Sequence, residues 1–451
     1  MHPFRKLSLA ALALVVGTAC LHAAAPKHHA VLVISIDGLR PDAVTHAEEH
    51  GLKIPVLRSF LRDGVYADAV NNAVPTYTYP NHTTLMTGVW PSVHGIYNNT
   101  PFDPEGKENG RWNWYANMVK APTLWQAAHN AGLVTASLHW PVTMNAKGID
   151  YNVPEFWSSR TESDHYLLEA VSQPHGYLEK LEHTAGTYFP GASDITYDEL
   201  LTKTAIALIQ DKHPDLLTLH IVSLDHVAHA HGPFSTEAND RLEQIDGMVG
   251  RLMKAERAAH PDASIVVVSD HGFLPVNHIL NLNLALAKAG LLKIEKGKIT
   301  FWEAAAWESG GTAMILLKSP SDAAMIKKTG DALKQLAADP ANGIDAVLSH
   351  QEAVALGATN DAVFLVDMKS GYRIGPALTG AVLQDLPSTT GAHGFLPSMH
   401  SELRSAFFVV GPTARAAKDV GVIDMRQIAP TLAALLGISF PSAGAAPLNV
   451  R

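Results

Sequence analysis

The chain has 451 residues, 47% of them hydrophobic, enough for a large core and more than one ordinary domain needs, so one main domain with an insertion is expected. A net charge of −9 with no long run of one sign leaves no nucleic-acid groove, although bound metal ions could still attract a phosphate locally. The single cysteine, Cys20, excludes an internal disulfide framework.

Arg5 and Lys6 precede an apolar stretch at 7–16 and small residues at 23–25, the layout of a cleaved secretory signal over 1–25 rather than a membrane span. The mature protein is therefore expected to be secreted or periplasmic, with no transmembrane helix. Thr18, Ala19 and Cys20 loosely resemble a lipoprotein cleavage box, but Gly17 stands where a larger aliphatic residue belongs, so no lipid anchor is expected.

Past the signal, strand and helix patterns alternate. VLVISIDG reads as a buried strand ending at Asp37, followed by a helical stretch with Ile54, Leu57, Phe60 and Leu61 on one face. After the proline-rich VPTYTYPNHTTLMTG, the segment PTLWQAAHNAG reads as a helix closed by Gly132, and LVTASLHW as a strand. TYDELLTKTAIALIQDK precedes the strand LTLHIVSLDHVAH, which is expected to end at Asp225. Residues 235–260 then place Leu242, Ile245, Val249 and Leu252 at helical spacing before SIVVVSDHG, a strand ending at Asp270. SAFFVVG and MRQIAPTLAALLG close the pattern. Such alternation predicts an α/β fold, a mainly parallel sheet sandwiched by helices. Residues 26–279 and 388–451 are expected to form the catalytic domain, and 280–387, with TAMILLKS, AAMIKKTGDALKQLAAD and DAVFLVDM, a small α/β insertion lobe walling the substrate pocket.

Three apolar strands running into Asp37, Asp225 and Asp270 should bring those carboxylates together, because ligands of open α/β sheets collect beyond the carboxyl ends of the strands. His229 follows Asp225 by four residues and His271 follows Asp270 directly, and carboxylate plus imidazole suits zinc and its neighbours. His393, in the glycine-rich TTGAHGF, has room to approach a metal but also fits an ordinary turn histidine. A hydroxyl nucleophile is expected in PTYTYPNHTTLMTG at the start of a helix, where Pro80 suits the first turn. Spacing alone does not choose among Thr76, Thr78, Thr83 and Thr84.

DGLRPD, PTYTYPNHTTLMTG, PSVHGIYNN, SLDHVAHAHGP, SDHGF and GAHGF, in this order over most of the chain, resemble the type I phosphodiesterase and nucleotide pyrophosphatase family of the alkaline phosphatase superfamily. The resemblance implies two zinc ions, one held by Asp37, Thr78, Asp270 and His271, the other by Asp225, His229 and His393. It implies Thr78 as nucleophile through a phosphothreonine intermediate, and Asn99 as a contact to a nonbridging phosphate oxygen. His82, His94, His226 and His231 would then be supporting groups, and Tyr77, Tyr79, Trp90, Trp112, Trp114 and Trp140 either substrate-stacking or core aromatics.

The superfamily's sulfatases need a C/S-x-P-x-R string that is missing at 75–80, and its monoesterases add an arginine beside the nucleophile that is not evident here. A small phosphodiester or nucleotide is the implied substrate. Phosphonoacetate hydrolases share the metal set and the threonine, so a phosphonate stays open. A catalytically silent, zinc-containing binding protein is the contrasting reading, disfavoured because all seven ligand positions and Asn99 are present.

Overall fold

The structure is a computed structural model describing residues 29–158, 163–187, 195–414, 417–441 and 443–450; the expected signal at 1–25 lies outside them. Its centre is an eight-stranded sheet in the order Lys418–Asp419, Val65–Tyr66, Phe407–Val410, Ser264–Val268, Val31–Ile36, Leu216–Ile221, Thr135–Leu138, Tyr151–Val153. From Ser264–Val268 to Tyr151–Val153 every pairing is parallel, whereas Phe407–Val410 runs against both of its neighbours.

Successive side chains of a strand point to opposite faces, and the central strand Val31–Ile36 uses both. Leu32, Ile34 and Ile36 join one core with Leu57 and Phe60 of helix Pro55–Asp63, Leu201 and Leu208 of helix Ile195–Lys212, and Leu242, Ile245, Val249 and Leu252 of helix Thr236–Ala259. Val31 and Val33 join a second core with Leu85 and Met86 of helix Thr78–Thr87, Leu124 and Trp125 of helix Leu124–Asn130, and Ile428 and Leu432 of helix Ile428–Leu436. Each fully buried aliphatic side chain contributes about 1.5–3 kcal/mol of transfer free energy, so helices on both faces are what an all-apolar strand requires.

Residues 274–392 build a separate body. Ala304–Ser309, Thr312–Leu317, Ala362–Met368 and Ile344–Ser349 form an antiparallel sheet packed on helix Ala323–Ala338, with its own core around Ile315, Leu317, Leu333, Val366 and Met368. The strands predicted at TAMILLKS and DAVFLVDM are present, but they pair antiparallel, and Ala304–Ser309 runs into Thr312–Leu317 through the tight Gly310-Gly311 connection, which only antiparallel neighbours can use. A three-stranded sheet, Gly371–Ile374, Leu274–Leu280 and Leu383–Ala392, ties this body to the central domain and delivers the chain to His393.

The body also braces loops of the central domain. Asn98 Nδ2 donates to Glu308 O and Ser309 Oγ, each at 2.9 Å, Thr312 Oγ1 donates to Gly394 O at 2.7 Å, and Leu396 N donates to Asp367 Oδ1 at 3.0 Å.

Candidate active site

Asp37 and Asp270 stand just beyond the ends of two adjacent parallel strands paired with Ser35 opposite Val268, so their carboxylates emerge side by side. Gly38 lets its N–H reach Asp270 Oδ1 at 3.2 Å; its φ is +73°, and a Cβ there would lie 2.5 Å from the Phe273 ring. The predicted end of the third strand is corrected. That strand stops at Ile221, and Asp225 lies in the first turn of helix Ser223–His231. The turn is set by Asp198, whose carboxylate accepts from Val222 N at 3.2 Å and Ser223 N at 3.0 Å. Asp225 and His229 therefore share a helix face, one turn apart.

The structure brings Asp37, Asp225, His229, Asp270, His271 and His393 into one cluster. His271 Nε2 lies 3.0 Å from Asp270 Oδ2 and 3.3 Å from Asp37 Oδ1. Asp225 Oδ1 lies 3.4 Å from His229 Nε2 and 3.7 Å from His393 Nε2, and the His271 and His393 rings stack at 3.6 Å. These contacts miss the line of a hydrogen bond: Asp37 Oδ1, Asp225 Oδ1, Asp270 Oδ2 and His271 Nε2 are buried without one. Tetrahedral ligands about 2.1 Å from an ion stand roughly 3.4 Å apart, which these spacings bracket. Asp37, Asp270 and His271 make one group able to hold a metal ion, and Asp225, His271 and His393 another, with His271 between them.

Each histidine's second ring nitrogen faces a backbone carbonyl. His229 Nδ1 meets Gly391 O at 3.0 Å, His271 Nδ1 meets Gly272 O at 3.2 Å, and His393 Nδ1 meets Thr76 O at 3.1 Å. With Nδ1 donating, the Nε2 lone pair is the one left for a metal, the usual support of a ligating histidine. Gly394, next to His393, has φ +90°, and a Cβ there would fall 1.5 Å from Ser309 O, so close approach as well as backbone freedom demands glycine.

Thr78 begins helix Thr78–Thr87, all ten residues of which are buried, and its neighbours on both sides touch the cluster. The Tyr77 ring lies 4.9 Å from that of His393, while His82 donates from Nδ1 to Thr78 O at 2.9 Å and sits 3.6 Å from Asp270 Oδ2. The other candidate threonines spend their hydroxyls on carbonyls: Thr76 on Phe395 O, Thr83 on Tyr79 O, Thr84 on Pro80 O. No hydrogen bond of the Thr78 hydroxyl occurs among the described residues. Asn99 Oδ1 caps the same helix end, accepting from Tyr79 N at 2.9 Å.

Burial, then the charges of Asp270 and Asp225, push the Asp37 carboxyl well above its usual range. Burial disfavours a proton on His271, but Asp270, Asp37 and Asp225 outweigh it and hold its pKa up at about 9. Burial, with His271 and His229 beside it, keeps His393 neutral. Crowded buried carboxylates that raise their neighbours' proton affinity form a site short of positive charge, which a divalent cation would supply.

Of the expected supports, His82 is neutral, lowered by burial and then His220 to about 3, and accepts from Ser35 Oγ at 2.9 Å. His94 is buried against Thr84 Oγ1 at 3.0 Å, but His226 and His231 are exposed, and no contact of either with the cluster occurs among the described residues. Tyr79, Trp112, Trp114 and Trp157 pack edge to face with one another, and Trp140 packs on His82 and Trp125. Trp90 carries the Arg426 guanidinium over its ring at 4.4 Å. The sequence reading missed His220 and Glu155, whose one signal was a polar residue inside the apolar strand LTLHI. His220 bridges Asp37 Oδ2 at 3.0 Å and Glu155 Oε2 at 3.3 Å; burial opposes its charge, but both carboxylates hold its pKa well above the usual value.

A family model, type I phosphodiesterase/nucleotide pyrophosphatase, matches residues 31–375. Human ectonucleotide pyrophosphatase/phosphodiesterase family member 1 is 25% identical over 252 residues, covering 53% of this chain and 23% of that protein, so the chain corresponds to about a quarter of that relative. Member 7 from Rattus norvegicus is 24% identical over 445 residues, covering 95% of this chain and 89% of that protein. The solved structure of murine member 5 aligns with a TM-score of 0.65 at 20% identity, covering 91% of this chain and 95% of that one. An inactive threonine-to-alanine form of the same murine protein has been solved in complex with AMP. With the alkaline-phosphatase-like architecture described above, the family match over 31–375 makes this chain a member of the type I phosphodiesterase/nucleotide pyrophosphatase family of the alkaline phosphatase superfamily.

Proposed function

We propose that this chain is an exported, zinc-dependent hydrolase of phosphodiester or pyrophosphate bonds, acting through Thr78. The observation that carries the reading is the convergence of four buried, unpartnered atoms, Asp37 Oδ1, Asp225 Oδ1, Asp270 Oδ2 and His271 Nε2. Asp37, Asp270, His271 and Thr78 would hold one zinc ion and Asp225, His229 and His393 the other. Bound there, zinc supplies charge for the phosphate oxygens and lowers the pKa of a hydroxyl or a water.

The Thr78 oxygen, at the positive end of its helix and with no competing partner, attacks phosphorus in line. The bond to the leaving oxygen breaks and that group departs as the alcohol or phosphate, the proton lost from the Thr78 hydroxyl being balanced by the one the leaving oxygen takes from solvent, which leaves phosphothreonine at Thr78. Water then attacks from the vacated side, breaks the bond from phosphorus to the Thr78 oxygen and releases the phosphate monoester. Asn99, its Oδ1 already occupied by Tyr79 N, keeps its amide N–H groups for a nonbridging phosphate oxygen. The murine relative's complex with AMP supports a nucleotide as one substrate class. Residues 280–387 serve as the insertion lobe that walls the pocket.

No arginine occurs between Arg62 and Arg111, the stretch that carries Thr78 and Asn99, and Arg40, three residues after Asp37, is committed to Asp42 and Phe273 O. A monoanionic diester therefore suits the site better than a dianionic monoester. Steady-state kinetics on an aryl phosphodiester and its monoester at one pH test this. The diester is expected to have at least about tenfold higher kcat/KM, roughly 1.4 kcal/mol of transition-state stabilisation; equal or reversed efficiencies contradict the diesterase reading.

A further inference from the structure

Buried polar groups form an unbroken row from Asp37 to Asn99. His220 Nε2 donates to Asp37 Oδ2 at 3.0 Å, and His220 Nδ1 is shared between Glu155 Oε2 at 3.3 Å and His139 O at 3.2 Å. Tyr79 Oη donates to Glu155 Oε1 at 3.0 Å, and Tyr79 N donates to Asn99 Oδ1 at 2.9 Å. None of the five residues is more than 6% exposed. They come from five separate places: just past Val31–Ile36, the next-to-last position of Leu216–Ile221, the segment after Tyr151–Val153, the first turn of Thr78–Thr87, and the loop at Asn99.

The row is asymmetric at its Asp37 end. Oδ2 is fixed by His220, whereas Oδ1 is buried without a hydrogen bond and faces His271 at 3.3 Å. A carboxylate free to rotate could offer either oxygen, and one pinned through Oδ2 offers only Oδ1. A buried Glu155 carboxylate is costly unless paired, and its partners here are the Tyr79 hydroxyl and the His220 ring. His139 lies beside this pair, but its ring is held by Tyr197 Oη at 2.6 Å. Each polar atom that Glu155 and His220 present is thus already bonded, as in a relay of hydrogen bonds rather than in a further ion site.

We propose that Glu155 and His220 are positioning residues: they fix the rotation of the Asp37 carboxylate so that Oδ1 meets a zinc ion, and Tyr79 ties that setting to Asn99. This rests on the zinc reading of the cluster. In other metal sites, losing such an outer partner weakens metal binding by about 10–100-fold.

The test is equilibrium zinc binding to the full-length protein, with free zinc set by a chelator buffer, for wild type, Glu155→Gln, His220→Gln and the double variant. Thermal unfolding of each zinc-free protein is the control. Each single variant is expected to bind one of its zinc ions at least about tenfold more weakly while the zinc-free proteins unfold within a few degrees of wild type. Acting in series, the double variant should be no more than about threefold worse than the weaker single. Tyr79→Phe, which keeps the packing and removes one hydroxyl, gives a smaller loss of about threefold and serves if the others fail to fold. Unchanged zinc affinity with lowered zinc-free stability would show a purely structural role and overturn the proposal. A wild-type protein that takes up no zinc would instead overturn the zinc reading beneath it.

Discussion

On the proposed mechanism the chemistry at Thr78 comes down to one hydroxyl that has no hydrogen bond among the described residues. Thr76, two residues away and fully buried, gives its hydroxyl to Phe395 O at 2.8 Å and so works for the loop that carries His393. The two substitutions should therefore separate. Thr78→Ala is expected to lower turnover of an aryl phosphodiester by at least about a thousandfold while the fold and most of the zinc binding are kept, the other six ligands being intact. Thr76→Ala should cost about 1 kcal/mol of stability, the net worth of one hydrogen bond, and keep turnover within about tenfold. Equal loss of activity in the two would remove the case for Thr78. Spacing left four threonines open and only the family resemblance pointed to Thr78, because hydroxyl partners are set by tertiary contacts; Phe395 lies 319 residues from Thr76. His220 was hidden for the same reason, its Glu155 and Asp37 partners lying 65 and 183 positions away.

The elements were legible where hydrophobic periodicity is strong. Helix Thr236–Ala259, with Ser235 as its side-chain cap, and the strands before Asp37 and Asp270 match their patterns closely. Asp225 was misplaced because LTLHIVSLD stays apolar past Ile221, and only Asp198, on another helix, shows where the strand gives way. The Gly394 turn was read as freedom for His393, and it is also a point of close packing. Gly394→Ala should displace His393, lower the zinc count of folded protein from about two toward about one, and destabilise by a few kcal/mol, in the manner of a side chain forced into a positive-φ site. Elemental analysis of the folded fraction that still finds close to two would show that His393 is dispensable.

Glu256, on helix Thr236–Ala259, is buried with neither carboxylate oxygen bonded, and burial, then Asp215, raises its pKa to about 7. The folded state therefore binds this proton more tightly than the unfolded chain, for which a value near 4.5 applies. Stability from this group is present below about pH 4.5 and is lost as pH rises toward about 7. Glu256→Gln should accordingly stabilise the protein at pH 8, by on the order of 3 kcal/mol, and change little near pH 4.5. Urea unfolding at both pH values checks this, and equal effects at the two would mean that the carboxyl is not held protonated.

Across the whole molecule, the parallel sheet brings two aspartates to one edge, a short helix adds Asp225 and His229, and the body at 274–392 returns the chain as His393. The parallel sheet was evident from strand and helix alternation, but the antiparallel order of that body was not, since the decisive Gly310-Gly311 turn is too short a signal to outweigh the surrounding pattern. In the proposed function this assembly holds metal against Thr78. Elemental analysis of the purified full-length protein, paired with phosphodiester turnover before and after chelation, tests it most directly. Close to two zinc ions per chain, with activity lost on chelation and regained on adding zinc, is the expected result; fully active protein containing no transition metal would contradict it.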